Sequence, residues 1–496
     1  MTEEKILDID GLTGSDRRNS SWDIQNAPRN YVSLVLAQGG SAFFAFASVW
    51  LLTRSLGSEG YGGVVAVIAA SQMVQVLVNW TNTAVVRFGV EEFVETGKIA
   101  RTFWLRFFIL VPNLVLVVLA AKLWFPLLSD LFKLSTEVLW LILIHLIAST
   151  LWLHVQSALQ AVKMPRLQGG LLMVERALIF LSLLVIVFTG GMTPVSAMLS
   201  YAVIPFVVAL VGSAFLRKFI WTGFSFAWDF WREVLVFSLP LLPFTITAYL
   251  STGYLDAAFI IKYLSTRELG IYAVATQVNG LSLQLPTLAN SLLLPLFVSL
   301  QKEEQIARMQ RYFRHTFPTL ILLWGIFVTF AALAGWFLIP AVFGKEFAYS
   351  TQPLWILLTT SVLALPFLLG YGSLSNATST TYISMWTTAL AALANIAFNF
   401  LLIPVLGMQG CAWATSIMYL TNSVAYIILL RRVIDIPVSW TFLAAIPSVG
   451  GAIALSLSGN PWWAAAVCLI TTFFVAYRFN ASIRDTVNFL RNFGKY

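Results

Sequence analysis

The chain has 496 residues, 59% of them hydrophobic and 10% charged, whereas soluble domains run at about 45–50% apolar and about 25% charged. Thirty Lys and Arg and 22 Asp and Glu are too few to solvate a 55.0 kDa globule, and the mean hydropathy of +0.82 agrees. This excludes a soluble enzyme: lipid is the solvent for most of the chain. The net charge of +8 comes from basic residues placed between apolar segments, not from a dense basic run, so it reports topology and gives no footprint for nucleic acid. Cys411 and Cys468 both sit in apolar runs, which leaves no disulfide framework and no zinc spacing, and no cofactor is expected.

In chain order, residues 1–30 are polar and lack the basic-then-apolar order of a secretory signal, so they are expected to form a flexible cytosolic tail. Apolar runs punctuated by Gly, Pro and charge then predict fourteen spans. They cover residues 31–53, 62–86, 103–127, 137–160, 170–190, 194–216, 233–255, 269–299, 316–343, 352–374, 382–405, 411–430, 438–458 and 461–478. The 269–299 span holds Pro286 and Pro295, which predicts a kink or an end before Pro295. With the N-terminus cytosolic, every Lys and Arg except Arg54, Lys122, Lys133, Lys262, Arg267 and Lys345 falls on the inner side. That bias predicts cytosolic N- and C-termini. The outer connections are short, and no HExxH, P-loop or Ser/His/Asp set is present, so nothing points to an enzyme.

Two segments recur at an offset of 208 residues, from Leu52 and from Ile260, aligning Arg54 with Lys262, Leu56 with Leu264 and Gly62 with Gly270. A second pair aligns Gly191-Met192 with Gly407-Met408 and Ser200 with Ser416. Short apolar windows also align by chance, but two anchors in the same order predict that spans one to six are duplicated as seven to twelve. Both halves start on the cytosolic side, so they are parallel repeats with a cavity expected between them. The expected architecture is an all-α polytopic membrane protein with about 14 transmembrane helices, two pseudo-symmetric six-helix lobes and two C-terminal helices. Its parts are an N-lobe over 31–216, a C-lobe over 217–436, spans thirteen and fourteen over 437–480 and a cytosolic tail over 481–496.

Polar side chains in hydrocarbon are costly unless they face protein or water, so their helical register marks the interior. Gln72, Gln75, Asn79 and Asn82 form one stripe, and Gln277, Gly280, Gln284, Thr287 and Ser291 follow the same rhythm. Span one adds Gln38, Ser41 and Ser48, and span four adds His145, Ser149, Trp152 and Gln156. The functional reading is a wet cavity lined by spans one, two, four, seven and eight; the alternative is hydrogen bonding within a packed bundle. Arg87 at the end of span two and Arg176, beside Glu175, at the entrance of span five are either cavity charges or snorkelling end-caps. No carboxylate is expected at mid-depth in the first six spans. Asp256 is either a coupling residue or half of a salt bridge to Lys262 or Arg267. His145 and His154 are candidate proton carriers or ordinary interhelical hydrogen-bonding groups.

The stretches RSLGSEGYG from Arg54, YLDAAFIIKYLSTRELGIYAVA from Tyr254, NIAFNFLLIPVLGMQGCAWATSI from Asn395 and the loop LQAVKMPR from Leu159 resemble the polysaccharide-transporter branch of the multidrug/oligosaccharidyl-lipid/polysaccharide (MOP) exporter superfamily. These are the Wzx-type O-antigen and exopolysaccharide repeat-unit flippases of the bacterial cytoplasmic (inner) membrane, and the resemblance runs from about residue 30 to 480. It implies a MATE/MOP-like fold and movement of an undecaprenyl-pyrophosphate-linked oligosaccharide to the outer leaflet by alternating access. It also implies a cationic lumen, possible proton or sodium coupling, and polysaccharide polymerase or chain-length proteins as possible partners. The basic roles carry over to Arg54, Arg87 and Lys262 and the acidic one to Asp256; Arg176 and His145 are added from the stripes. The rivals are a cation-coupled multidrug exporter of the same superfamily and a lipid II flippase.

Overall fold

The computed structural model describes residues 14–221, 227–239, 253–302, 306–378, 380–431 and 441–478, and among them every regular element is helical. An apolar segment in hydrocarbon must satisfy its backbone N–H and C=O groups internally, which a helix does. Helix α1 runs Gly14–Asn79 and breaks at Gly57, whose φ of 66° and ψ of −174° lie outside helical space. Glycine adopts that positive φ at little cost. The break divides the apolar stretch Leu36–Asn79 into two arms, at the place where spans one and two are expected to meet. Residues 14–30, expected as part of a flexible tail, belong to α1.

The first half continues with α2 (Asn82–Thr96), α3 (Ala100–Leu119), α4 (Ala121–Phe132), α5 (Leu139–Ala161), α6 (Pro165–Phe188) and α7 (Pro194–Ile220). Span two therefore ends at Asn79, and Asn82 and Arg87 belong to a separate helix. The α2–α3 corner is locked by Glu92, whose two carboxylate oxygens accept the backbone N–H groups of Arg101 and Thr102, each at 2.8 Å; an anion at a helix N-terminus is favourable. The start of α7 is a capping box made by Thr193 and Ser196.

The second half contains α8 (Trp228–Ser238), α9 (Gly253–Tyr263), α10 (Thr266–Lys302), α11 (Phe317–Phe343), α12 (Thr351–Thr360), α13 (Thr381–Leu406), α14 (Met408–Leu430), α15 (Thr441–Ser458) and α16 (Pro461–Arg478). The expected span 233–255 lies partly outside the described residues. Of the two outcomes expected at Pro295, a kink or an end, the helix does not end there: α10 continues to Lys302, since neighbouring helices let membrane helices tolerate the lost N–H. The segments Lys345–Leu363 and Phe367–Ser375 meet at a 40° bend, with Pro366 at the break. Among the described residues nine helices are long and apolar enough to cross a membrane, or ten with this bent pair counted as one span. Leu119, Phe188, Val405 and Phe473 are among the large apolar side chains left exposed on the bundle, as they should be where hydrocarbon is the solvent.

The second arm of α1 packs along α5 and, across the repeat, along α10. Gly62 and Gly270 mark the crossing. A Cβ on Gly62 would strike Thr266 O and lie 3.0 Å from Gly270 N, and a Cβ on Gly270 would strike Ser58 O and lie 2.9 Å from Gly62 N. Because Ser58 and Thr266 are also related by the 208-residue offset, the contact is reciprocal, as a two-fold axis between equivalent segments requires. The α13–α14 hairpin packs on α9, while α15 and α16 pack on α11 at the periphery.

Candidate functional site

From the Gly62–Gly270 crossing, the second arm of α1 and α10 enclose a cavity of about 710 Å³. Tyr61, Val65 and Ile68 face it from α1, and their repeat-related counterparts Leu269, Ala273 and Thr276 face it from α10. The first arm of α1, α5 and α9 contribute as expected from spans one, four and seven. Two further helices also line it, α6 through Glu175 and Arg176 and α7 through Tyr201 and Pro205.

The amide stripes divide. Gln72, Gln75, Gln277 and Gln284 line the cavity. Gln75 donates to Ser149 Oγ at 3.0 Å, and His145, also on the cavity wall, meets Ser71 Oγ through Nδ1 at 2.8 Å. Further along, the end of α1 and the start of α2 are zipped to neighbouring helices. Asn79 donates to Thr150 Oγ1 at 3.4 Å and accepts from Arg106 Nη2 at 3.0 Å, while Asn82 accepts from Ser157 Oγ at 2.7 Å. For Asn79 and Asn82 the packed-bundle alternative describes the observed bonding. Thr287 is exposed and bonds its own helix at Leu283 O, 2.8 Å away. Gln38 is half-buried one turn before the lining begins at Ser41.

The charges also divide. Arg176 lines the cavity. Arg54 instead donates to the backbone carbonyls of Val342, at 2.7 Å, and Ala341, the last turn of α11, where a cation is favourable. Arg87 lies 3.8 Å from Glu91 and against the Phe88 and Phe237 rings, with the Phe237 centroid at 4.5 Å. Lys262 lies beside the Tyr263 and Phe400 rings, 5.7 and 5.6 Å from their centroids. Arg54 and Lys262 sit near helix ends, where carbonyls and rings stabilise a cation better than an apolar wall.

Glu175 overturns the expectation of no mid-depth carboxylate in the first half. Helix α6 starts at Pro165, five residues before the predicted span, so Glu175 falls in the middle of the helix. It is buried, lines the cavity and accepts from the Trp152 indole N–H at 2.9 Å. Arg106, read from the sequence as a cytosolic charge, is a fully buried guanidinium held by Asn79 Oδ1 and by His154 Nδ1 at 2.8 Å. His154 thus serves as its acceptor. The sequence signal for both was a charge inside an apolar run, WLRFF and MVERA, with no turn residue beside it.

Asp256 is 4% exposed and forms no ion pair with Lys262 or Arg267, since Arg87–Glu91 is the one ion pair among the described residues. Its two oxygens accept from Asn399 Nδ2 at 2.9 Å and Thr415 Oγ1 at 3.1 Å. It borders a smaller cavity of about 180 Å³ shared with Tyr272, Asn279 and Asn395. Within it, Asn279 Oδ1 and the Tyr272 hydroxyl are buried without a hydrogen-bond partner among the described residues.

Residues 28–301 match the protein family described as polysaccharide biosynthesis protein. No curated protein sequence matches the chain significantly. Among solved structures, the chain is similar to the lipid II flippase MurJ in an inward closed conformation, at 15% identity and a TM-score of 0.67, over 92% of this chain and 100% of that one. It is also similar to an inward-facing multidrug resistance MATE family transporter of the MOP superfamily, at 13% identity and a TM-score of 0.55, over 86% and 100% of the two chains. A mutant of the Vibrio cholerae MATE transporter VcmN aligns at 15% identity with a TM-score of 0.51, over 82% and 98%. At these identities the likeness is one of fold, a polytopic all-α bundle.

Proposed function

Because the chain belongs to the polysaccharide biosynthesis protein family, we propose that it flips an undecaprenyl-pyrophosphate-linked oligosaccharide repeat unit from the inner to the outer leaflet of the bacterial cytoplasmic membrane. The observation that carries this reading is the cavity between repeat-related helices, walled by amides, aromatic rings and the Arg176 guanidinium. A charged, hydroxyl-rich headgroup cannot cross hydrocarbon bare, because each unpaired polar group costs several kcal/mol there. Gln72, Gln75, Gln277 and Gln284 offer both donors and acceptors to sugar hydroxyls, and Arg176 offers a fork for phosphate. The cavity volume of about 710 Å³ lies within the usual range of ligand sites, about 300–1,000 Å³. The prenyl tail stays in the bilayer, and no covalent chemistry is required.

With the N-terminus cytosolic, the Gly57 end of the bundle is the outer end, and the Gly62–Gly270 crossing closes it. Rocking of the halves about that crossing exchanges access. In this reading coupling to H⁺ or Na⁺ falls to Asp256, a buried carboxylate with no ion-pair partner among the described residues, since such a group is costly inside a membrane unless it serves transport. His145 on the cavity wall is the second candidate. A polysaccharide polymerase and chain-length proteins would take the product over.

Two rivals have an observation each. Glu175 gives a cation-coupled multidrug exporter the acidic cavity group it needs, and the likeness to MurJ favours a lipid II flippase. Deleting the gene separates the three. Loss of a surface polysaccharide with its lipid-linked repeat unit trapped on the inner leaflet supports the proposal. Arrested peptidoglycan synthesis or drug hypersensitivity with normal polysaccharide refutes it.

A further inference from the structure

Glu175 is 4% exposed, and one carboxylate oxygen is held by Trp152. Among the described residues no protein donor meets its other oxygen, and Arg176, the next residue, forms no ion pair with it. A carboxylate in a low-dielectric wall requires further donors, and here they have to come from the cavity. Glu175 and Arg176 are the acidic and basic side chains on the wall, so the cavity is close to neutral, unlike the cationic lumen expected from the resemblance. In the flippase reading above the guanidinium is the partner for phosphate, which leaves the carboxylate, the Trp152 ring and the glutamines to the sugar.

Resting on the flippase reading above, we propose that Glu175 is the residue that selects the sugar. It accepts hydrogen bonds from hydroxyl or amino groups of the sugar next to the pyrophosphate and disfavours sugars that carry a carboxylate. The physical basis is direct: two like charges brought together in a desolvated site repel, whereas a hydroxyl pair or an ammonium supplies the missing donors. A purely structural role, anchoring the Trp152 indole, predicts no such discrimination.

The test uses the full-length protein in proteoliposomes with three undecaprenyl-pyrophosphate disaccharides that differ in the first sugar: a neutral hexose, an amino sugar and a uronic acid. The wild type is expected to move the uronic-acid substrate at least about tenfold more slowly than the neutral one. In Glu175→Gln the amide oxygen still accepts from Trp152 but the like charge is gone, so the ratio of neutral to uronic-acid rates narrows to about twofold or less, whatever the absolute rates become. Equal wild-type rates on neutral and acidic substrates overturn the proposal whether or not the variant folds, and so does an unchanged ratio in Glu175→Gln. A wild type that moves none of the three overturns the flippase reading itself.

Discussion

Glu346 grips Ser58 twice: the Ser58 backbone N–H donates to one carboxylate oxygen at 3.0 Å and its hydroxyl to the other at 2.8 Å. The two residues are 288 positions apart in the chain. Their contact ties the turn between the arms of α1 to the turn after α11, beside the Arg54 cap on Val342 and Ala341. Alternating access would require this latch to open. Glu346→Gln removes charge-assisted bonds worth about 1.5–3 kcal/mol, a population shift on the order of tenfold or more. Water-soluble thiol reagents added from outside should then label a Val65→Cys reporter correspondingly faster; an unchanged labelling rate would show that the latch does not hold the outer end shut.

Gly62→Ala and Gly270→Ala should be damaging to a similar degree, because each new methyl group meets the same backbone atoms across the crossing. Overpacking of this kind costs about 1–3 kcal/mol, read as a lower melting temperature in detergent. Strong destabilisation by one variant with none by the other would contradict the two-fold relation.

Asn79→Leu and Gln277→Leu look alike in the sequence and should behave differently. The first strips a partner from the buried Arg106 guanidinium and should cost about 2–3 kcal/mol of stability, visible as reduced melting temperature and yield. The second removes a cavity amide and should lower transport at normal stability.

Arg176→Ala should depress transport strongly, by tenfold or more if a charged hydrogen bond to phosphate is lost, on the order of 2 kcal/mol. Arg54→Ala, Arg87→Ala and Lys262→Ala, whose side chains meet carbonyls, rings and Glu91 away from the cavity, should stay within about threefold of wild type, as surface ion pairs and exposed contacts contribute little. Transport rates at matched protein abundance decide the ranking.

Asp256→Asn should leave downhill exchange of substrate intact and abolish its acceleration by an imposed H⁺ or Na⁺ gradient. An undiminished gradient response would move coupling away from Asp256, with His145→Asn as the next variant to measure.

Much of this arrangement was legible because helical periodicity and internal repetition are properties of sequence. Gly62 and Gly270 align in the sequence at the 208-residue offset, and the helical rhythm of Gln72, Gln75, Gln277 and Gln284 puts them on cavity-lining faces. Periodicity does not say what covers a face. Asn79 and Asn82 share the register of Gln75 but face α5 rather than open space, and the helix ends between them at Asn79. Nor does it distinguish a basic residue that caps carbonyls, as Arg54 does, or lies beside rings, as Lys262 does, from one that lines a cavity. Glu175 turns on a boundary: a helix starting at residue 170 puts its carboxylate near the helix end, whereas the start at Pro165 puts it in the middle.

The most direct measurement is leaflet exchange of a fluorescent undecaprenyl-pyrophosphate oligosaccharide in vesicles reconstituted with the purified protein, followed by an impermeant quencher. The account predicts rapid loss of protection with the wild type and near-background rates with Arg176→Ala. Wild-type vesicles that exchange no faster than protein-free ones would contradict it.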